Sequence, residues 1–267
     1  MTDFLLYVGK LLLLTLGTVI GCGLAVRLCS WLFCRLSGRR SALIFDITST
    51  IGTPIHELGH AIMCLIFGHK IQEVRLWIPP PHENGMAGYV SHRYNKRNLW
   101  QNLGNLFIGL GPIFSGLAVV VLALYICFPT QWGDYLAQSR ALIESNASAA
   151  EVSTSVLSLF QSIPAAFRAN WWLSLIGLIV IFAVSMHIDL SPADIQNSAG
   201  AFPLYLILTV LIAIPTYLLK TSGSVVATLE LFNLRMLSLF CVVIAFAVLW
   251  VLLALLIRLF KVVIGWF

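Results

Sequence analysis

Apolar residues fall into six runs, each close to the roughly 20 residues a helix needs to cross a bilayer, with polar residues gathered between them. The runs extend from about Phe4 to Val26 (continuing towards Cys34), Ala42 to Phe67, Leu99 to Phe128, Trp171 to Leu190, Phe202 to Leu219, and Met236 to Leu259. Two polar stretches are longer than a simple connection. In His69 to Asn98, the segments Gln72–Ile78 and Gly88–Tyr94 alternate loosely and carry β-formers. Pro79-Pro80-Pro81 and Glu83-Asn84-Gly85 supply a reversal between them, since Asn-Gly favours a tight turn. This pattern predicts a small β-hairpin at the membrane surface, with an edge that could pair with an extended chain or serve as a plain connector. Pro129 to Arg168, rich in Ala and Ser, predicts a short helix or two at the opposite surface.

The predicted architecture is therefore an all-α polytopic membrane protein of about six transmembrane helices with a surface β-hairpin. It forms a single integral membrane domain over residues 1–267, with a core at about 42–200, the hairpin at 69–98, an outer loop at 129–168 and accessory helices at 201–267. Composition agrees: 59% of the 267 residues are hydrophobic and 10% charged, against roughly 45–50% and 25% in soluble domains. The net charge of +5 is spread over short connections, which points to lipid headgroups and topology rather than nucleic acid. Lys70, Arg75, Arg93, Lys96 and Arg97 in the hairpin region, with Arg258 and Lys261 near the carboxyl end, put the hairpin and both termini on the cytoplasmic side of a bacterial-type membrane. Arg27, Arg35, Arg39 and Arg40 vote the other way.

Met1-Thr2-Asp3 lacks the basic start of a signal peptide, so the first run reads as an uncleaved membrane helix. Cys22, Cys29, Cys34, Cys64, Cys127 and Cys241 lie within or at the ends of apolar runs without a C-x-x-C pair. They read as small packing residues rather than disulfides or a cysteine zinc site. Trp132, Trp171, Trp172, Trp250 and Trp266 read mostly as interfacial anchors. His69, His82 and His92 read as solvated loop residues, the Asn146-Ala147-Ser148 sequon as incidental, and Pro203 and Pro215 as ordinary membrane-helix prolines.

Chemistry concentrates in Gly52-Thr53-Pro54-Ile55-His56-Glu57-Leu58-Gly59-His60. On a helix, His56 and His60 share a face and can grip one metal ion. Glu57 stands on the same turn, where it can take a proton from water at that metal. Ionisable side chains at bilayer depth each cost about 2.5–3.5 kcal/mol, and a bound cation is the most economical compensation. A chance match, with neutral histidines hydrogen-bonded inside a bundle, is the bland alternative. A catalytic zinc site takes a third protein ligand, and Asp46, ten residues before His56, is about 15 Å away along a helix. In Ser185–Ile195, Ser191-Pro192 reads as an N-cap and first helical residue, which puts Asp194 in the first turn of a new helix. Asp194 is the favoured third ligand, although the helix dipole alone would favour a carboxylate there. His187 and Asp189 remain substitutes, or partners that orient a ligand histidine.

His56-Glu57-Leu58-Gly59-His60 in an apolar span resembles the site-2 protease family of intramembrane zinc metalloproteases, as a divergent member. The order of features is similar over roughly Gly52 to Gly200. A hairpin follows the motif helix, and Gly111-Pro112-Ile113-Phe114-Ser115 stands where the family carries Gly-Pro-x-x-Asn. Ala193-Asp194-Ile195 stands where it carries Leu-Asp-Gly, whose aspartate is the third zinc ligand. The resemblance implies a zinc-dependent endopeptidase with His56, His60 and Asp194 holding Zn²⁺ and Glu57 activating water. Its substrates would be membrane-anchored proteins or apolar precursor peptides. Residues 129–168 are too few for the PDZ domains some members insert. Two rivals are a metal-binding membrane transporter, which has no special use for Glu57, and an inactive protease-like membrane chaperone.

Overall fold

The structure, a computed structural model, describes residues 2–38, 40–80, 86–145 and 148–263. His82, the Glu83-Asn84-Gly85 reversal, Arg39, Asn146-Ala147 of the sequon and Trp266 lie outside the described residues. The chain forms α1 (Thr2–Ser37), α2 (Arg40–Ile66), β1 (Lys70–Arg75), β2 (Tyr89–Arg93), α3 (Leu99–Cys127), α4 (Pro129–Glu144), α5 (Ala149–Ala169), α6 (Trp171–Ser185), α7 (Pro192–Leu218) and α8 (Ser222–Val263). It is an all-α membrane protein with, among the described residues, one two-stranded antiparallel sheet.

Among the described residues, four helices are long and apolar enough to cross a membrane: α1, α3, α7 and the Ser222–Phe260 part of α8. Of the other two expected runs, the second forms a helix where expected and the fourth breaks early. α2 has 27 residues, but the polar groups it carries for the site lower its apolarity. α6 ends at Ser185 after 15 residues, about 22 Å of rise against a hydrocarbon core of about 30 Å. The break that cuts it short runs from Met186 to Ser191 and positions the second half of the site.

α3 is the central element, packed against α2, α6 and α7. Asn98 caps its start by accepting from the Gln101 N–H. Gly59 of α2 and Gly111 of α3 let the two backbones touch. A Cβ at Gly59 would stand 2.5 Å from the Gly111 carbonyl oxygen, and one at Gly111 would stand 2.6 Å from the Gly59 oxygen. The apolar core fills the space between α1, α3, α6 and α8 with Val26, Ile113, Ile181, Phe240 and Phe246, each at most 1% exposed. α1 contains a π turn at Leu13–Gly17; Asn233 of α8 donates to its Leu14 carbonyl and accepts from Thr18.

The 129–168 region, expected as a short helix or two, folds as two helices of 16 and 21 residues that pack inward. The Tyr135 hydroxyl donates to the Ser238 carbonyl at 2.7 Å, and the Ser139 and Ser155 hydroxyls meet at 2.9 Å. Trp132, expected as an interfacial anchor, is 5% exposed and stacks on Tyr135. Trp250 likewise turns inward, donating to the Phe182 carbonyl at 3.1 Å, whereas Trp171 and Trp172 are exposed. Arg27 is also not a free topological charge: its guanidinium donates to the Leu190 carbonyl inside the break.

The hairpin forms as expected, with β1 starting two residues before the Gln72 boundary. Lys70 pairs with Arg93, Ile71 with His92 and Arg75 with Tyr89, with an irregularity between Ile71 and Glu73. Trp77 ties it to α2 by donating to the Ser49 hydroxyl at 3.1 Å.

Candidate metal centre

α2 puts His56 and His60 one turn apart on the same face, and their Nε2 atoms lie 3.2 Å from each other. What orients the rings is on other elements. His56 Nδ1 donates to the His187 carbonyl at 2.7 Å, and His60 Nδ1 donates to the Ile108 carbonyl at 2.7 Å. With the proton of each neutral ring engaged at Nδ1, both Nε2 lone pairs face the same point.

The Ile108 carbonyl is free for this because of Pro112. In a helix, the carbonyl of residue 108 would accept from the N–H of residue 112, and proline has none. The break in α3 hydrogen bonding therefore supplies the acceptor that holds His60. Ser115 donates to the Ile55 carbonyl at 2.8 Å, fixing α2 against α3 at the residue before His56.

Asp194 comes from the start of α7. Ser191 is the N-cap, its hydroxyl accepting from the Asp194 N–H at 3.1 Å, while the Ser191 N–H donates to Asp194 Oδ2 at 2.9 Å. This capping box, with Pro192 at the first helical position, holds the carboxylate in one rotamer. Oδ1 then lies 3.1 Å from His60 Nε2 and Oδ2 lies 3.7 Å from His56 Nε2.

Three donor atoms suited to a cation thus converge from two distant parts of the chain, and His56, His60 and Asp194 form a group that could hold a metal ion. A proton on one Nε2 satisfies only the contact along its own N–H bond, whereas a cation accepts lone pairs from every side. Tetrahedral ligation at about 2.0–2.1 Å separates donor atoms by about 3.3 Å; the 3.2 Å between the two Nε2 atoms and the 3.1 Å from His60 Nε2 to Asp194 Oδ1 lie close to that value. The set of two imidazoles and one carboxylate is one that divalent transition-metal ions take, so these residues fit a bound metal ion.

The triplet faces a cavity of about 370 Å³ that is also lined by Glu57, Asp189, Asn197 and the hairpin residues Met86 to Val90. Glu57 is 7% exposed and does not belong to the donor group. The hairpin closes directly over it: a Cβ at Gly88 would stand 2.9 Å from Glu57 Cγ and 2.8 Å from Thr53 Cγ2.

Of the two substitutes for the third ligand, His187 contributes its backbone carbonyl to His56. Its ring Nδ1 contacts the Ala183 carbonyl at 2.9 Å, and its Nε2 has no hydrogen-bond partner among the described residues. Asp189 lines the cavity without joining the triplet. The carbonyls of Ile108 and His187 carry no signal in the sequence beyond Pro112 and the helix break. A second group was missed outright: Cys64, His69 and His92 bring three ligand atoms within 4.8 Å of one another. His69 and His92 are thus not solvated loop residues, since His69 is 4% exposed and His92 only partly exposed. Cys64, read as a packing residue, is fully buried against them.

Comparison with protein-family models, curated proteins and solved structures returns no match.

Proposed function

We propose that the chain is an intramembrane zinc metalloprotease, with His56, His60 and Asp194 as ligands and Glu57 as the general base and acid. The observation that carries this reading is the carboxylate of Glu57, buried in the same cavity as the donor triplet yet outside it. A transport or storage site needs the triplet alone; hydrolysis needs a proton carrier beside it. The resemblance to the site-2 protease family supports the same assignment.

When bound, the cation supplies Lewis acidity, which acidifies water and polarises an amide carbonyl. Glu57 takes the proton from the attacking water and delivers it to the amide nitrogen as the C–N bond breaks, so each turnover leaves it ionised again. His187 and Ile108 keep the two imidazoles aimed, and the Ser191 cap keeps Asp194 from swinging away. The hairpin and the surrounding helices limit access, so a substrate must arrive as an extended or unwound segment. Membrane-anchored proteins and apolar precursor peptides fit that requirement. The same reading makes the chain a multi-pass protein of a bacterial-type cytoplasmic membrane, with the hairpin and termini on the cytoplasmic face. With Arg27 engaged inside the fold, one of the charges opposing this orientation is accounted for.

The test is to incubate the detergent-purified chain with a panel of single-span peptides in ¹⁸O-labelled water and analyse the products by mass spectrometry. Hydrolysis predicts fragments whose new carboxyl terminus carries the label, formed by the wild type and suppressed by a zinc chelator. No labelled fragment from any peptide would remove the protease reading and leave the transporter.

A further inference from the structure

The end of α2 builds a second cluster with its own ligand chemistry. α2 stops in a Schellman motif: Gly68 has φ +69°, its N–H donates to the Leu65 carbonyl at 3.2 Å, and the His69 N–H donates to the Cys64 carbonyl at 2.8 Å. In this motif the residue after the left-handed glycine comes back over the last full turn, which brings the His69 ring beside the Cys64 thiol. The Gln101 carbonyl accepts from His69 Nε2 at 2.7 Å, so Nδ1 of the neutral ring carries the lone pair. That lone pair faces His92 Nδ1 at 3.0 Å, delivered by β2 from opposite Ile71. The arrangement is braced on three sides. Tyr94 stacks on His69 at 5.0 Å between centroids, the Gln101 amide donates to the Gly68 carbonyl at 2.7 Å, and the Asn95 N–H donates to the Gln101 side-chain oxygen at 2.7 Å.

We propose that Cys64, His69 and His92 form a second metal site, which takes a thiophilic d¹⁰ cation such as Zn²⁺ and fastens the surface hairpin to the end of α2. A buried thiol beside two imidazoles is the donor set such ions favour. On binding, the thiol gives its proton to solvent and the thiolate becomes the ligand. His92 also lines the cavity of the first site, so an ion here would hold the wall that carries Gly88 against Glu57. The proposal does not depend on proteolysis.

Cobalt gives the readout, because a thiolate–Co²⁺ bond produces a near-ultraviolet charge-transfer band that the sulfur-free first site cannot produce. The full chain is stripped with chelator in detergent and reloaded with Co²⁺. The wild type is expected to bind about two ions and show the band. Asp194→Ala should lose about one ion and keep the band, and Cys64→Ser should lose about one ion together with the band. Should Cys64→Ser fail to fold, His92→Asn, at a partly exposed position, should weaken the band and the affinity behind it by about tenfold or more. A wild type without the band, a band that survives Cys64→Ser, or a band indifferent to His92→Asn would overturn the proposal.

Discussion

His60 is held by a hydrogen bond whose acceptor exists because a residue elsewhere lacks a donor. Pro112→Ala restores an N–H that can bond the Ile108 carbonyl along α3, in competition with His60 Nδ1. The change should hold or raise thermal stability, since proline in a helix interior is unfavourable by up to about 3 kcal/mol relative to alanine. It should at the same time lower the affinity of the first site about tenfold or more. Calorimetry and competitive metal titration on one sample check both halves, and unchanged affinity would detach Pro112 from the site. At this scale the sequence was informative where chemistry is carried by side chains. His56 and His60 at helical spacing, Glu57 beside them and Asp194 behind a Ser-Pro start were all readable. His187 was readable as a candidate but not in its role, because every residue has a carbonyl and only the fold selects which one a ring meets. Cys64, His69 and His92 follow no metal-binding spacing. Their only trace is Gly68, a helix-stop residue that in this fold turns His69 back onto Cys64.

The capping box at Ser191 does two jobs for α7: it satisfies a first-turn N–H and fixes the Asp194 carboxylate. Ser191→Ala should cost about 1 kcal/mol of stability and weaken metal binding as well, whereas a cap with no part in the site would leave metal binding untouched. Gly111→Ala should be far more harmful than an ordinary surface substitution, because its Cβ would meet the Gly59 oxygen at 2.6 Å and force α2 off α3; melting in detergent measures it. α5 offers a pH test. The Ser148 N–H and hydroxyl both donate to the Glu151 carboxylate, at 2.7 and 2.8 Å, which holds it below its usual value of 4.5. A depressed folded value means the cap is fully present above 4.5 and is lost as pH falls through the lower folded value. Protection of the first-turn amides of α5, taken relative to their intrinsic exchange rates at each pH, should therefore fall over that acidic window, and Glu151→Gln should flatten the dependence. Element boundaries were legible where a capping signal was read in the chain, as at Ser191. They were least legible at α6, where an unbroken apolar run conceals a helix that stops at Ser185.

Across the whole molecule, the helices form a scaffold that brings residues 56, 108, 187 and 194 to one point beneath a hairpin. Hydropathy alone gave the all-α membrane class, because long apolar runs admit few other folds. It could not tell that α4 and α5 pack inward, since Tyr135 and Ser139 find their partners on α8 and α5 only once the chain has folded. In the proposed orientation, a cysteine at Lys96 should react with a membrane-impermeant thiol reagent from the cytoplasmic side. One at Asp134 should react from the other side, in a background with Cys34 replaced; the reverse labelling would invert the topology. In the proposed function, Glu57 does chemistry at a metal it does not bind. The most direct measurement is metal content and peptide cleavage on the same preparations of wild type and Glu57→Gln. Equal metal is expected in both, with cleavage in the variant reduced at least about a hundredfold. Loss of metal from Glu57→Gln, or cleavage that survives it, would rule out that role for Glu57.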